Sequence, residues 1–326
     1  MKVLVTDHNI RPEGVELLRE NGMQVQILEA GSPRDVLIDA SQNVDGMLVR
    51  GSKIMRDVLI SPNLQVVSRH GVGFESVDVD ACTEMGIAVC ISGDANSQAV
   101  SEHAFGLMMA CARSVRKAHR VIQEGTWERG DLAGIELHGK TLGIVGLGRI
   151  GTRLARQAHG FDMRVLACDP YVDDQVFDTV SAERRDLTTL LAESDFVSLH
   201  VPFNSETEDM IGVRELESMK STALLVNTAR GELVDESALH AALTSGQIAA
   251  AGIDVFHDEP PAADHPLSQL DNAICTPHIA GQTEEALIRT SVAAADNILR
   301  VFRGEKPNII VNEEILTNST RINWQA

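Results

Sequence analysis

Aromatic residues are scarce in this chain, 3% of its 326 positions. Its buried volume must come from Val, Ile, Leu, Ala and Met within a hydrophobic share of 44%. An aliphatic core of that kind suits buried parallel strands covered by helices. Cysteine is thin as well, with five residues, Cys82, Cys90, Cys111, Cys168 and Cys275. The odd count, the wide spacing and the lack of any C-x-x-C pair argue against a disulfide framework and against a zinc site. Reduced thiols in a cytoplasmic protein are the simple account, and no metal is expected. No stretch reaches the ~18 apolar residues of a membrane span, and the apolar run near Met1 is too short for a signal peptide. Positive charge is also in deficit. A formal net charge of −19 makes nucleic acid and anionic membrane surfaces poor partners, and its plain meaning is solubility.

What is present is a repeated alternation of strand and helix over a length that fits two domains. Short apolar strands are predicted at 3–5, 24–28, 46–49, 64–67 and 87–91. A helix over 12–20 has Pro12 near its start and Gly22 at its stop, and Ser32-Pro33 reads as a second helix opening. The pattern then predicts one long helix over 97–124. Its front half is apolar on most faces (Ala99, Val100, Ala104, Phe105, Leu107, Met108, Met109), which predicts burial between domains. Its basic end, 113–120, reads as a solvated face. A second series has strands at 142–145, 165–168, 196–199, 223–226, 250–254 and 273–276. An amphipathic helix over 284–302 is closed by Gly304 and Pro307, and the polar tail 312–326 is expected to be peripheral. Strands alternating with helices imply right-handed βαβ units. The fold class is therefore α/β, with two doubly wound parallel sheets.

The strongest local motif is Gly146-Leu-Gly148-Arg-Ile-Gly151, which follows an apolar strand and opens a helix. In that context Gly146 serves the tight turn, Gly148 lets backbone N–H groups approach a pyrophosphate, and Gly151 permits close helix–strand packing. The helix N-terminus favours the anion. Asp169 ends the next strand 18 residues beyond Gly151, near the ~20 expected for the acid that grips the adenosine ribose. A carboxylate there repels a 2′-phosphate, so the cofactor reads as NAD rather than NADP.

Three further segments join the fingerprint in order: Val226-Asn-Thr-Ala-Arg-Gly231, Asp254-Val-Phe-His-Asp-Glu-Pro260 and Thr276-Pro-His-Ile-Ala-Gly281. With Arg69-His-Gly-Val-Gly-Phe-Glu-Ser-Val-Asp78 they give a chain that resembles the D-isomer specific 2-hydroxyacid dehydrogenase family along essentially its whole length. Within that family it is most similar to the 3-phosphoglycerate dehydrogenase and hydroxypyruvate reductase group without a regulatory C-terminal domain. The resemblance implies a flavodoxin-like substrate domain (1–96 plus 283–326), a Rossmann NAD-binding domain (97–282), an active-site cleft between them and a homodimer. It assigns catalysis to Arg230, Glu259 and His278, and the residue types agree. Reduction of a 2-keto acid needs a permanent cation on the carboxylate and C2 carbonyl, which a guanidinium supplies. It needs a proton donor near neutral pH, which histidine supplies. It also gains from a carboxylate that orients and charges the imidazole.

The resemblance adds cofactor contacts at Arg149, Ile150, Val201, Thr207, Thr228, Asp254 and Gly281. It adds substrate contacts at Arg50, Val72, Gly73 and Asn96, with the backbone N–H groups of Val72 and Gly73 meeting the substrate carboxylate. Gly51 stands where the phosphoglycerate group commonly carries serine, so the far end of the substrate could be a phosphate, a sulfonate or a second carboxylate. The partner is thus a small 2-hydroxy or 2-keto acid of the 3-phosphoglycerate or hydroxypyruvate type. Two other classes share the fold: an NAD-sensing corepressor, and dehydrogenases of sulfolactate, phosphite or formate. A formate enzyme would carry glutamine at Glu259. The remaining histidines, His103 among them, show no metal spacing and read as structural or exposed.

Overall fold

A computed structural model describes residues 1–325, which form two compact units. The first comprises residues 1–96 and the chain from Gln282 onward; the second comprises residues 97–281.

In the first unit five parallel strands, β1 (Lys2–Val5), β2 (Gln24–Ile27), β3 (Gly46–Val49), β4 (Val66–Arg69) and β5 (Ala88–Ile91), lie in the order β2-β1-β3-β4-β5. That is the flavodoxin-like doubly wound order. Alternate strand residues feed two cores. Val3, Val5, Leu48 and Val66 face helices Pro12–Glu20 and Glu284–Phe302, while Leu4, Met47, Val49 and Val67 face the other side. A Cβ on Gly14 would stand 2.5 Å from the carbonyl oxygen of Ser291, so the missing side chain is what lets those two helices close.

The second unit holds seven parallel strands: β6 (Thr141–Val145), β7 (Arg164–Cys168), β8 (Glu183–Arg184), β9 (Phe196–Leu199), β10 (Leu224–Asn227), β11 (Ala250–Ile253) and β12 (Ala273–Cys275). Their order is β12-β11-β10-β9-β6-β7-β8, the Rossmann arrangement with one added strand. The order reverses between β6 and β9, and a crevice at such a switch point is where open α/β sheets take ligands.

Three expectations need correction. The stretch 97–124 is not one helix but two, Ser97–Ala112 and Val115–Gln123, separated by Ser114 at a left-handed φ of 49°. The backbone N–H of Ile135 takes the carbonyl of Ala112, which ends the first helix. That helix packs on β10, β11, β12 and helix Arg149–His159 of its own unit. The helix that follows has no buried residue, and two of its arginines also hold the 268–273 segment. Arg116 donates to the carbonyls of Ser268, Leu270 and Ala273, and Arg120 makes a two-pronged contact with Asp271. The tail is not peripheral. Ile315 and Ile322 are buried in the first unit's core, and Asn312 is bonded to Val89 N–H, the Ile87 carbonyl and Thr83. Lastly, Pro33 rather than Ser32 precedes helix Arg34–Ser41, and no side chain caps it.

Candidate active site

Strands β10, β11 and β12 end side by side, and their ladder continues past the strand ends. The Asp254 N–H donates to the Asn227 carbonyl at 2.9 Å, Thr276 N–H to the Ile253 carbonyl at 2.8 Å and His278 N–H to the Asp254 carbonyl at 2.8 Å. The three motif segments therefore leave the same edge of one sheet. Asn227 shapes the first of them. It is buried, its Oδ1 accepts from Ala229 N–H at 3.0 Å, and its Nδ2 donates to the Arg230 carbonyl at 2.7 Å. Gly231 then passes so close to the second segment that a Cβ would stand 2.0 Å from the Phe256 carbonyl carbon.

The second and third segments meet through a side-chain pair. His278 Nδ1 lies 2.7 Å from Glu259 Oε2, and Glu259 Oε1 accepts from Phe256 N–H at 3.2 Å. His278 holds a left-handed φ of 51°, uncommon for a residue with a Cβ and found where surroundings dictate the backbone. The hydrogen bond to Glu259 raises the His278 pKa above the ordinary histidine value, against burial, which lowers it; the nearby Asp254 charge adds to the rise and Arg230 opposes it. Burial pushes Glu259 upward, but the hydrogen bond and charge of His278 outweigh it and hold the carboxyl below its ordinary value. The arrangement is an imidazole whose protonated form is favoured by the carboxylate that orients it, with a guanidinium from the adjoining strand end.

Around the fingerprint the three glycines divide in function. Gly146 has φ 94°, and a Cβ there would stand 2.6 Å from the His200 carbonyl; one on Gly151 would stand 2.1 Å from the Gly146 carbonyl. A Cβ on Gly148 would meet nothing within 4 Å. The first and third glycines serve packing, while the second borders open space beside a helix N-terminus that no side chain caps. A pyrophosphate fits that position. Asp169 closes the loop, with one oxygen accepting from Leu147 N–H at 2.8 Å and the other from Tyr171 N–H at 2.9 Å. The Thr228 hydroxyl is buried and makes no hydrogen bond among the described residues, which suits a ligand-facing position. Arg149 is exposed, and Ile150, Val201 and Gly281 are partly so. Thr207 folds its own loop, donating to the Pro202 carbonyl and accepting from Asn204 N–H.

Arg50, Val72, Gly73 and Asn96 belong to the first unit, where Arg50 is well supplied with partners. It donates to the Asn9 carbonyl at 3.0 Å and to Gln282 Oε1 at 3.3 Å, and lies 4.0 Å from Asp7. Gly71, at φ 143°, starts the loop that bears Val72 and Gly73, and Arg69 fastens it by donating to the Gly73 carbonyl at 2.9 Å. The Asn96 side-chain oxygen is buried without a hydrogen-bond partner among the described residues. Asn227, Arg69 and Thr276 escape sequence reasoning as organisers. A lone polar residue at the end of an apolar strand is the only signal the sequence holds for Asn227.

Residues 105–280 match the family model described as D-isomer specific 2-hydroxyacid dehydrogenase, NAD binding domain. The chain is 40% identical over 306 residues to a D-3-phosphoglycerate dehydrogenase of Archaeoglobus fulgidus, which covers 93% of this chain but 58% of that relative. It therefore spans less than two thirds of the length of that relative. It is 40% identical over 326 residues to a glyoxylate reductase of Pyrococcus furiosus, covering 97% of this chain and 96% of the relative. Among solved structures, a protein of Thermus thermophilus superposes with a TM-score of 0.88 at 33% identity, covering 95% of this chain and 100% of that one.

Proposed function

This chain belongs to the D-isomer specific 2-hydroxyacid dehydrogenase family, and on that premise we propose that it is an NAD-dependent oxidoreductase acting at C2 of a small 2-hydroxy or 2-keto acid. The observation that carries the reading is the His278–Glu259 pair, 2.7 Å apart at the same sheet edge that bears Arg230. Bound NADH supplies the hydride. Gly146, Gly148, Arg149, Ile150 and Gly151 cradle the cofactor's pyrophosphate region, and Asp169 takes its ribose. Val201, Thr207, Thr228, Asp254 and Gly281 complete the contacts.

In the reductive direction Arg230 holds the substrate carboxylate and polarises the C2 carbonyl. His278, with Nδ1 turned to Glu259, delivers its proton through Nε2 to the oxygen that gains charge. In the oxidative direction neutral His278 takes the hydroxyl proton back. General acid–base help of this kind contributes about 10²–10⁴-fold. On the first unit, Val72 and Gly73 N–H groups serve the carboxylate, while Arg50 and Asn96 serve the rest of the substrate.

We place the substrate in the 3-phosphoglycerate or hydroxypyruvate class. The partners already gathered around Arg50 favour its smaller, unphosphorylated members. Five unpaired cysteines support a cytoplasmic setting. Exposed Val115, Ile122 and Trp127 on the second unit support a homodimer. The test is NADH oxidation with phosphohydroxypyruvate, hydroxypyruvate, glyoxylate, pyruvate and sulfopyruvate, with NADPH as cofactor control. Strong turnover of one acid supports the reading. Tight NADH binding without turnover of any would turn it toward a cofactor-sensing protein.

A further inference from the structure

Beneath the His278 loop lies a polar network of which the reading above uses only Asp254, as a cofactor contact, and leaves Thr276 and His103 without a role. Asp254 is fully buried, and its carboxylate gathers three donors: Thr276 Oγ1 at 2.5 Å, Ile279 N–H at 2.9 Å and Ala280 N–H at 2.8 Å. Its backbone carbonyl takes the His278 N–H. His103, on helix Ser97–Ala112, lies with Nε2 3.0 Å from Thr276 Oγ1 and 3.4 Å from Asp254 Oδ1. An ionised carboxylate only accepts, and a threonine hydroxyl has one proton. That proton goes to Asp254, so the Thr276 oxygen accepts from His103, which must carry hydrogen on Nε2. Donation runs from His103 to Thr276 to Asp254, and the two backbone amides that follow His278 converge on the same carboxylate.

The register that makes this possible is set by a glycine. A Cβ on Gly252 in β11 would stand 2.9 Å from the Leu107 Cβ. Its absence lets the helix settle on the sheet, and His103, four residues before Leu107, shares that face and reaches Thr276.

We infer that His103 is a positioning residue for His278, acting through Thr276 and Asp254 to fix the left-handed turn that aims the imidazole. Without His103, Thr276 loses the donor that holds its hydroxyl in line with Asp254. The buried carboxylate then relaxes its hold on residues 279 and 280, and His278 departs from its productive direction.

The test compares full-length wild type with His103→Phe, His103→Gln and Thr276→Val, reading keto-acid reduction, NADH affinity and amide hydrogen exchange. His103→Phe and Thr276→Val should lower kcat on the order of a hundredfold, as small misplacements of a reacting group do, with NADH affinity falling far less, since Asp254 is only one of the cofactor contacts. Both should speed exchange at Ile279 and Ala280 by about tenfold or more, since those amides lose local protection. The glutamine amide can donate to Thr276, so His103→Gln should keep both near wild type.

The kinetic arm rests on His278 being the proton donor, whereas the exchange arm does not. Faster exchange in a protein whose wild type reduces no keto acid would keep this inference and overturn the proposed function. Wild-type exchange at Ile279 and Ala280 in folded His103→Phe and Thr276→Val would overturn the inference.

Discussion

Glu259 Oε2 and His278 Nδ1 stand 2.7 Å apart, joining the loops that follow β11 and β12, and each group moves the other's titration outward. The His278 contribution to stability is full below the ordinary histidine value of 6.5 and is lost as pH rises through the raised value. The Glu259 contribution is present above the ordinary value of 4.5 and is lost as pH falls through the lowered value. Both are intact between those two ordinary values. For catalysis the sign follows from His278 alone, because reduction needs imidazolium. Glu259→Gln should move the alkaline limb of keto-acid reduction to lower pH and cut kcat on the order of a hundredfold or more. A profile of kcat against pH reads both effects, and a limb that stays in place would remove Glu259 from its role.

Arg230 sits at the end of β10 because Asn227 grips its carbonyl at 2.7 Å. A fixed backbone makes the side chain's fork a fixed fork. Arg230→Lys keeps the charge and loses the two-pronged geometry. The expected result is a higher KM for the keto acid and a kcat lower by about 10²-fold, comparable to removing one donor from a developing oxyanion. Steady-state kinetics at saturating NADH measure it. A lysine variant with wild-type kcat would mean that charge alone suffices.

In the proposed function Asp169 is the residue that selects NAD over NADP. Both its oxygens already accept backbone N–H groups, from Leu147 and Tyr171, so its removal loosens the fingerprint loop as well as the ribose contact. Asp169→Ser should weaken NADH binding by about 10–100-fold, the worth of a lost charge-assisted hydrogen bond, and narrow the gap to NADPH. Titration of both dinucleotides by fluorescence decides it. An unchanged preference would place the discriminating group elsewhere.

The parts of this protein that can be read from sequence are those whose cause is local. Glycines 146, 148 and 151 need only their own strand and helix, and the acids and bases at 230, 259 and 278 fall at strand ends that apolar runs announce. What escaped depends on distant partners. The helix break at Ser114 is set by Ile135, whose N–H claims the Ala112 carbonyl from 23 residues away. Nothing in the helical pattern of 97–124 carries that information. The tail looks polar because Ile315, Leu316, Ile322 and Trp324 are spread among eleven other, mostly polar residues from Asn312 onward, yet they pack on the first unit's core and Asn312 anchors the segment to the backbone around β5. His103 has an ordinary place on a helix, and only the closeness permitted by Gly252 brings it to Thr276.

Gly231 offers the sharpest test of how the site is assembled. It lies between Arg230 and the loop that carries Glu259, and a Cβ there would stand 2.0 Å from the Phe256 carbonyl carbon, 2.3 Å from its oxygen and 2.4 Å from the His257 nitrogen. All three are backbone atoms, so no side chain can swing aside; the loop itself must retreat. Overpacking of this kind costs about 1–3 kcal/mol, and Gly231→Ala should lower the stability of the second unit by about that amount in urea unfolding. The same retreat carries Glu259 away from His278, so kcat should fall and the alkaline limb of reduction should shift downward, as in Glu259→Gln. NADH affinity should fall much less than kcat, because the fingerprint glycines follow β6 and only Thr228 and Asp254 of the cofactor contacts lie near the displaced loop. Full activity with full stability in Gly231→Ala would mean that the 256–259 loop is free to move without cost, and the rigid pairing of Glu259 with His278 would lose its structural basis.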